Sequence, residues 1–517
     1  MTLLSTSNFL ALGVFMWVVI SLIRMSLSDS LPPGPRRLPI IGNLLDMPKE
    51  REWVTWAEWG KRYGGISSAT VLGQTIIVLN SYSVAKELLN NRSAKYSDRP
   101  PLSMHILSGW GDIVLILGYG SAFRAQRKLF HKLLGTLENF QRFYHVEDEQ
   151  TRKFLKDMLR DPDHWVEHIH DDVASIVLRI AYGYTISKND PLVVKCRQIT
   201  AEFLQMASPK FLVNKLPARV SNAPFVIFVI IITYARKVRH LPDWIPGAEF
   251  KRLAKRWNVN VQEMTHQPFN WVKDQMAKGT ADYSYVSSGV EDGEDEFVIK
   301  WTASTMYGAG FDTTVISIKT FFKAMTMFPE IQARVQAEID SVTGGERLPS
   351  LADRDEGRLP HTLAVLHEVF RWHSPIPTGF PHRTMEDDTY NGYFIPKGSI
   401  VIANIWQMSH DPEFYPNPDV FDPTRFLGPS PQLDPRELIF GFGRRICPGQ
   451  LLAEASVFLA VARSLAVFNI TKATDENGDI QEPVPGQVVG VLSDTLPFKC
   501  VVKPRSEKAV ELVNEAL

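Results

Sequence analysis

Apolar and polar positions follow two different rhythms along this chain. In "REWVTWAEWGKRYG", residues 51–64, apolar positions return at helical spacing, which predicts a helix. Directly after it, "ISSATVLGQTIIVLN" predicts two short strands around a glycine-containing turn. From Ser81 to about Ala364 the helical rhythm dominates, broken by Pro and Gly clusters. Short β-like pieces return near 376–402 and 484–502. The sum is a mainly α chain with a small β portion and no internal repeat.

Three stretches leave this pattern. Residues 3–23, "LLSTSNFLALGVFMWVVISLI", carry no charge and are long enough for one N-terminal transmembrane helix. The start lacks the basic residues of a cleaved signal, whereas Arg24, Arg36 and Arg37 follow the segment. That bias predicts a single-pass anchor with the body in the cytosol. Pro32, Pro33, Pro35 and Pro39 make residues 24–50 a stiff hinge arm, leaving 51–505 as the globular body. The apolar run 223–240, "APFVIFVIIITYARKVRH", is short for a span and reads as either a buried helix or an interfacial segment. Residues 287–297, "SSGVEDGEDEF", read as a solvated acidic connector.

Composition narrows the function. With 517 residues, 44% hydrophobic, and a formal net charge of -1, the chain is ordinary globular protein. No long linker divides the body, so one large domain is expected. The charge balance lacks the basic footprint of a nucleic-acid binder. Only Cys196, Cys447 and Cys500 are present, with no CxxC pair, which gives neither a disulfide framework nor a zinc ribbon.

Cys447 stands in a special setting, "LIFGFGRRICPGQLLAEASVFLAVARSL", residues 438–465. Either this is a strand-to-helix turn that happens to contain a cysteine, or it is a thiolate held ready for a metal. The Ala-, Leu- and Val-rich segment from Gly449 reads as a helix, so Cys447 lies at or just before an N-terminus, where a thiol's pKa falls. Gly443 permits a tight turn, and Gly449 lets backbone approach a flat ligand. Arg445 offers a guanidinium to a carboxylate at the ligand's edge, and Phe440 can shield the sulfur. The pattern Phe440-x-x-Gly443-x-Arg445-x-Cys447-x-Gly449 fixes five of ten positions.

This loop resembles the haem-binding loop of the cytochrome P-450 family of haem-thiolate monooxygenases, and the resemblance extends over nearly the whole chain. It implies a mainly helical domain with a small β-rich side. It also implies haem b held between two helices, with Cys447 as the axial metal ligand. A second motif, "YGAGFDTTVIS" at 307–317, is poor helix sequence, since Gly costs about 1 kcal/mol relative to Ala. It reads either as a kink in a core helix or as room for a diatomic ligand beside Ala309. Thr313 can bond the carbonyl of Ala309 and loosen the helix. Asp312 and Thr313 then match the family's acid–alcohol pair, which relays protons.

Further positions follow from the same resemblance. Glu368 and Arg371 in "HEVFRW", with Arg425 in "FDPTRF", imply a buried structural network behind the haem. "SAFRAQRKLFHKLL" matches a helix whose Trp and Arg reach a haem propionate; Arg127 is present, but Phe123 stands at the Trp position. Counting back from Ile395 puts His382 at the remaining propionate position, with Arg383 facing the other way on a strand. Arg124, Lys128 and Lys132 form a solvated face or a docking patch for an acidic flavoprotein reductase. A pocket wall of Trp110, Tyr307, Pro377, Val491 and Leu492 implies a lipophilic small-molecule substrate.

The chemistry implied is insertion of one oxygen atom from O2, with electrons from NADPH through a membrane-bound reductase, at the endoplasmic reticulum. The chain carries no flavin or nicotinamide fingerprint of its own. It is similar to fungal members, including those oxidising polyketides and terpenoids. Two competing functions are a reductase-independent haem-thiolate isomerase or dehydratase, and a non-catalytic haem-binding membrane protein. The acid–alcohol pair argues against both.

Overall fold

The computed structural model describes residues 30–39, 41–206 and 249–515; the segments 3–23 and 223–240 lie outside them. Helix α1 (Glu52–Tyr63) leads into the hairpin β1 (Ile66–Val71) and β2 (Gln74–Leu79). Leu72 and Gly73 form its two-residue turn, both with positive φ, as the strand twist requires. Helices α2 (Ser121–Leu134), α3 (Tyr144–Arg160), α4 (Trp165–Tyr182) and α5 (Pro191–Met206) follow. Then come α6 (Glu249–Lys278), α7 (Tyr285–Glu291), α8 (Glu296–Met327), α9 (Pro329–Thr343) and α10 (Pro360–Trp372).

The remaining strands are β3 (His382–Arg383), β4 (Asp388–Tyr390), β5 (Tyr393–Ile395) and β6 (Ile400–Ala403). Helix α11 (Gln450–Val467) runs directly into β7 (Phe468–Thr474), which pairs with β8 (Ile480–Gln481) and β9 (Cys500–Pro504); α12 (Glu507–Asn514) comes last. The main sheet has the order β1-β2-β6-β3, with β2 and β6 parallel. Residues 32–39 and 41–47 fold against its edge: Ser68 donates to the Pro32 carbonyl at 2.5 Å, and Asn43 N–H to that of Thr70 at 2.7 Å.

The core is built around two helices that are apolar on nearly every face. The 32-residue α8 starts at Asp295, whose carboxylate accepts the Val298 N–H at 2.9 Å, with Glu296 favouring the positive end of the dipole. It ends before Pro329 and packs on α2, α4 and α11. Among the described residues, α11 is the one helix long and apolar enough to cross a membrane, yet it is buried inside the protein. Helices that are hydrophobic all round need such surroundings.

The sequence pattern misplaced several pieces. The stretch read as an acidic connector is helical through Glu291. Ser284 and Ser287 form a capping box, and Ser287, Ser288 and Gly289 are buried against the core. Short polar and small residues pack there because the local caps satisfy their polar groups. Near 484–499 no strand forms beyond the isolated bridge Gln487↔Thr495, whereas β7 was not anticipated. The fold also runs past 505, since Ala509 and Val513 of α12 are buried.

One buried ionic cluster braces the helices, and a pair of buried carboxyls lies elsewhere among them. Arg371 clamps Glu368 through two bonds of 2.7 Å, and Arg425 reaches the same carboxylate at 3.2 Å. Glu368 and Arg371 are fully buried. Glu368→Gln leaves both guanidinium groups without their counter-charge. We expect it to cost about 3–5 kcal/mol, read as a lower melting temperature.

Elsewhere Glu147 on α3 is fully buried, accepting only from Ser456 Oγ at 2.9 Å. Burial pushes its carboxyl up to about 8, and that of neighbouring Asp172 up to about 7. Both values exceed those of the unfolded chain, so folding takes up protons and stability falls as pH rises from about 4.5 through about 8. Glu147→Gln keeps the serine bond without the charge. It should raise the melting temperature at about pH 9 and change it little at about pH 5.

Candidate functional site

The cysteine loop joins a short turn, Gly443–Arg445, to the start of α11, whose N-cap is Gly449. Gly443 is obligatory: its φ is +56°, and a Cβ there would sit 2.0 Å from the Leu89 carbonyl oxygen. The Cys447 N–H donates to the Phe440 carbonyl at 2.8 Å, which closes the loop. The Cys447 side chain is accessible, but what it faces is an internal cavity of about 300 Å3. Burial pushes its thiol up, while the Gly449 N–H and the Arg127 guanidinium oppose that rise.

Helix α8 forms the opposite wall. Gly308, Ala309, Asp312 and Thr313 line the cavity, and the absence of large side chains at 308–310 opens space there. Thr313 Oγ1 donates to the Ala309 carbonyl at 3.0 Å, as its spacing predicted, and the helix continues unbroken. Asp312 is pushed up to about 6, by burial and then by the Asp494 carboxylate; Arg197 and Lys319 pull the other way. A carboxyl titrating there can accept and release protons near neutrality.

Four nitrogen-rich side chains gather on one side of the cavity: Arg99, Arg127, Arg445 and His382. Arg445 donates to the carbonyls of Ser97, Val114 and Leu117 at 2.7, 3.0 and 2.7 Å. Arg99 donates to those of Phe380 and Pro381, and Arg127 to that of Ile446 at 2.7 Å. Among the described residues, none of these three guanidinium groups forms an ion pair, and the buried Arg99 Nε has no partner. Burial lowers the pKa of all three, that of Arg445 to about 10. The set fits an anionic group on this side of the cavity, with a thiol on one wall and small residues on the other. Such a lining fits haem, whose propionates these arginines would hold.

His382 Nδ1 lies 2.8 Å from the Tyr96 carbonyl, which can only accept, so that nitrogen carries the proton. Burial and Arg99 hold the imidazole well below its ordinary pKa. Nε2 becomes a donor only when an anion draws a second proton onto the ring. Arg383 points away from the cavity, 3.8 Å from Asp98, as strand parity predicts.

All nine site residues read from the sequence, Cys447, Arg445, Arg127, His382, Ala309, Phe440, Gly449, Asp312 and Thr313, line this one cavity. Phe123, at the expected tryptophan position, places its ring 3.8 Å from the Arg445 guanidinium, a cation–π contact in place of an N–H donor.

Sequence reasoning missed Arg99. Its only local signal is the dipeptide Arg99-Pro100 after a helical stretch, and nothing there gives its long-range direction. Of the anticipated pocket wall, Trp110 and Leu492 do line the cavity, and Val491 lines a smaller neighbouring one. Tyr307 and Pro377 do not: the Tyr307 hydroxyl turns to the Leu192 carbonyl at 3.1 Å, on the α5 side of α8. Outside the cavity, Arg124, Lys128 and Lys132 are exposed, but Lys132 is paired with Asp292 at 3.1 Å and Glu294 at 2.7 Å.

The chain is similar to known proteins over most of its length. The family model described as Cytochrome P-450 matches residues 32–500. The chain is 42% identical over 500 residues to cytochrome P-450 monooxygenase 208 of Postia placenta, covering 95% of this chain and 93% of that protein. It is 43% identical to cytochrome P-450 monooxygenase claR of Ampulloclitocybe clavipes, with 94% and 88% covered. Cytochrome P-450 monooxygenase ppsD of Aspergillus oryzae is 38% identical, with 94% and 90% covered.

Proposed function

Because the chain belongs to the cytochrome P-450 monooxygenase family, whose members hold haem through an axial cysteine thiolate, we propose that Cys447 is that ligand in this enzyme. We further propose that the enzyme inserts one oxygen atom from O2 into a lipophilic small molecule. The observation that carries the reading is the opposition, across one cavity, of the Cys447 thiol and the Ala309–Thr313 stretch of α8. Haem bound there supplies dioxygen activation, with the thiolate's electron density favouring O–O cleavage.

The chain's own residues do the rest. Arg99, Arg127 and Arg445, with His382 once protonated, hold the propionates by charge-assisted bonds. Asp312 takes up and releases protons, and Thr313 passes them through its hydroxyl into the cavity. Ile113, Val114, Phe203, Ile376 and Leu492 exclude water and favour an apolar substrate, of the kind met in secondary metabolism or as a xenobiotic.

The sequence carries no flavin or nicotinamide fingerprint, which supports electron supply from NADPH through a separate flavoprotein reductase. Exposed Arg124, Lys128 and Arg444 offer that partner positive charge. The charge-free run 3–23, followed by Arg24, supports a single-pass anchor in the endoplasmic reticulum membrane with the catalytic body in the cytosol.

Cys447→Ser removes the thiolate. The reduced, carbon-monoxide-bound protein should lose the strongly red-shifted Soret band of the parent, and a mutant that keeps it refutes the ligand assignment. Thr313→Ala should cut product formed per NADPH by about tenfold or more, with the missing equivalents recovered as hydrogen peroxide. Unchanged coupling would remove Thr313 from the proton path.

A further inference from the structure

The cysteine loop is gripped from behind by a segment that the oxygen chemistry leaves unused. Lys86–Asn91 form a π-helical turn, with the Arg92 N–H bonded to the Glu87 carbonyl at 3.0 Å. A π turn holds one residue more than the α turn it replaces, which changes the direction in which the residues after it face. Here Asn90 faces the loop. Its Oδ1 accepts the Gly443 N–H at 2.5 Å, and the neighbouring Leu89 carbonyl packs directly on Gly443.

The same short stretch then reaches the other side of the site. The Tyr96 carbonyl accepts from His382, the Ser97 carbonyl from Arg445, and Arg99 itself lines the cavity. Residues 86–99 thus bracket both the sulfur loop and the cationic side. The loop needs an external hold, because Gly441 and Gly443 both have positive φ and place little restraint of their own on the backbone. Among the described residues, Asn90 supplies the one side-chain hydrogen bond to Gly443, the residue that opens the turn leading to Cys447.

We propose that Asn90 is a positioning residue for the axial sulfur: by fixing the Gly443 N–H it sets how Cys447 approaches the cofactor and how long thiolate ligation persists. This rests on the reading of Cys447 as the ligand. The side chain acts as an acceptor only, so Asp can replace it and an apolar residue of similar volume cannot.

The experiment uses full-chain holoenzyme in three forms: parent, Asn90→Leu and Asn90→Asp. It follows the reduced, carbon-monoxide-bound spectrum over time and measures the reduction potential. The parent should show the thiolate-type band; a parent without it overturns the Cys447 reading, and this proposal with it. Given that band, Asn90→Leu should convert to the thiol-type form about tenfold faster, the effect of losing one hydrogen bond of typical net worth. Asn90→Asp should convert at close to the parental rate. Conversion of the Leu variant at the parental rate with an unshifted potential overturns the proposal alone, as does an Asp variant that decays as fast as Leu. Should Asn90→Leu yield no holoprotein, Asn90→Ser, whose shorter side chain falls short of Gly443, takes its place with the same two outcomes.

Discussion

Three guanidinium groups crowd one buried side of the cavity, and what faces them decides how the rest of this molecule works. Each is already bonded to backbone carbonyls, and among the described residues none makes a direct ion pair, although the Asp98 carboxylate lies near enough to favour the charge on Arg99 and Arg445. A charge removed from water demands an opposite one close by, or it lowers the stability of the fold that holds it. An anionic cofactor answers that demand. Haem is in this sense a structural component: whatever binds only the folded state stabilises it. The Glu368–Arg371–Arg425 cluster solves the same problem internally, with a carboxylate the chain supplies itself.

The two walls of the cavity are built on opposite principles. The cysteine wall is a loop with left-handed glycines, held by the Phe440 carbonyl, the Leu89 carbonyl and Asn90. The facing wall is a long regular helix, where small residues make the opening and hydroxyls bond back to their own backbone. Loops offer a sulfur the backbone freedom to be aimed; a helix offers the facing groups a fixed surface. Chemistry requiring a definite gap between the two is served by one adjustable side and one rigid side.

Much of this was legible in the chain. The cysteine loop is a local signature, because the glycines, the arginine and the sulfur all act within a few residues of one another. His382 was separable from Arg383 because side chains on a strand alternate, and the structure puts His382 on the cavity and Arg383 beside Asp98. The hairpin at 66–79 followed from alternation and one glycine. What escaped was long-range. Arg99 lies far along the chain from Arg445, and no spacing rule connects them. Tyr307 sits on the right helix but on the wrong side of it, and its hydroxyl is satisfied by α5. In the stretch 287–297 Glu291, Asp292, Asp295 and Glu296 are exposed, as their charge suggested, whereas the burial of Ser287, Ser288 and Gly289 follows from the capped serines and escaped the pattern.

The position of α11 has a consequence for how the protein is made. This helix is apolar enough to be taken for a membrane span, and it occupies residues 450–467, directly after the cysteine loop. During synthesis its partners α3, α9 and α10 leave the ribosome first and wait, with the faces that will cover it still open. The core closes only when this late segment arrives, bringing the sulfur with it. On the proposed role of Cys447, cofactor capture and closure of the hydrophobic interior would therefore fall at the same late moment.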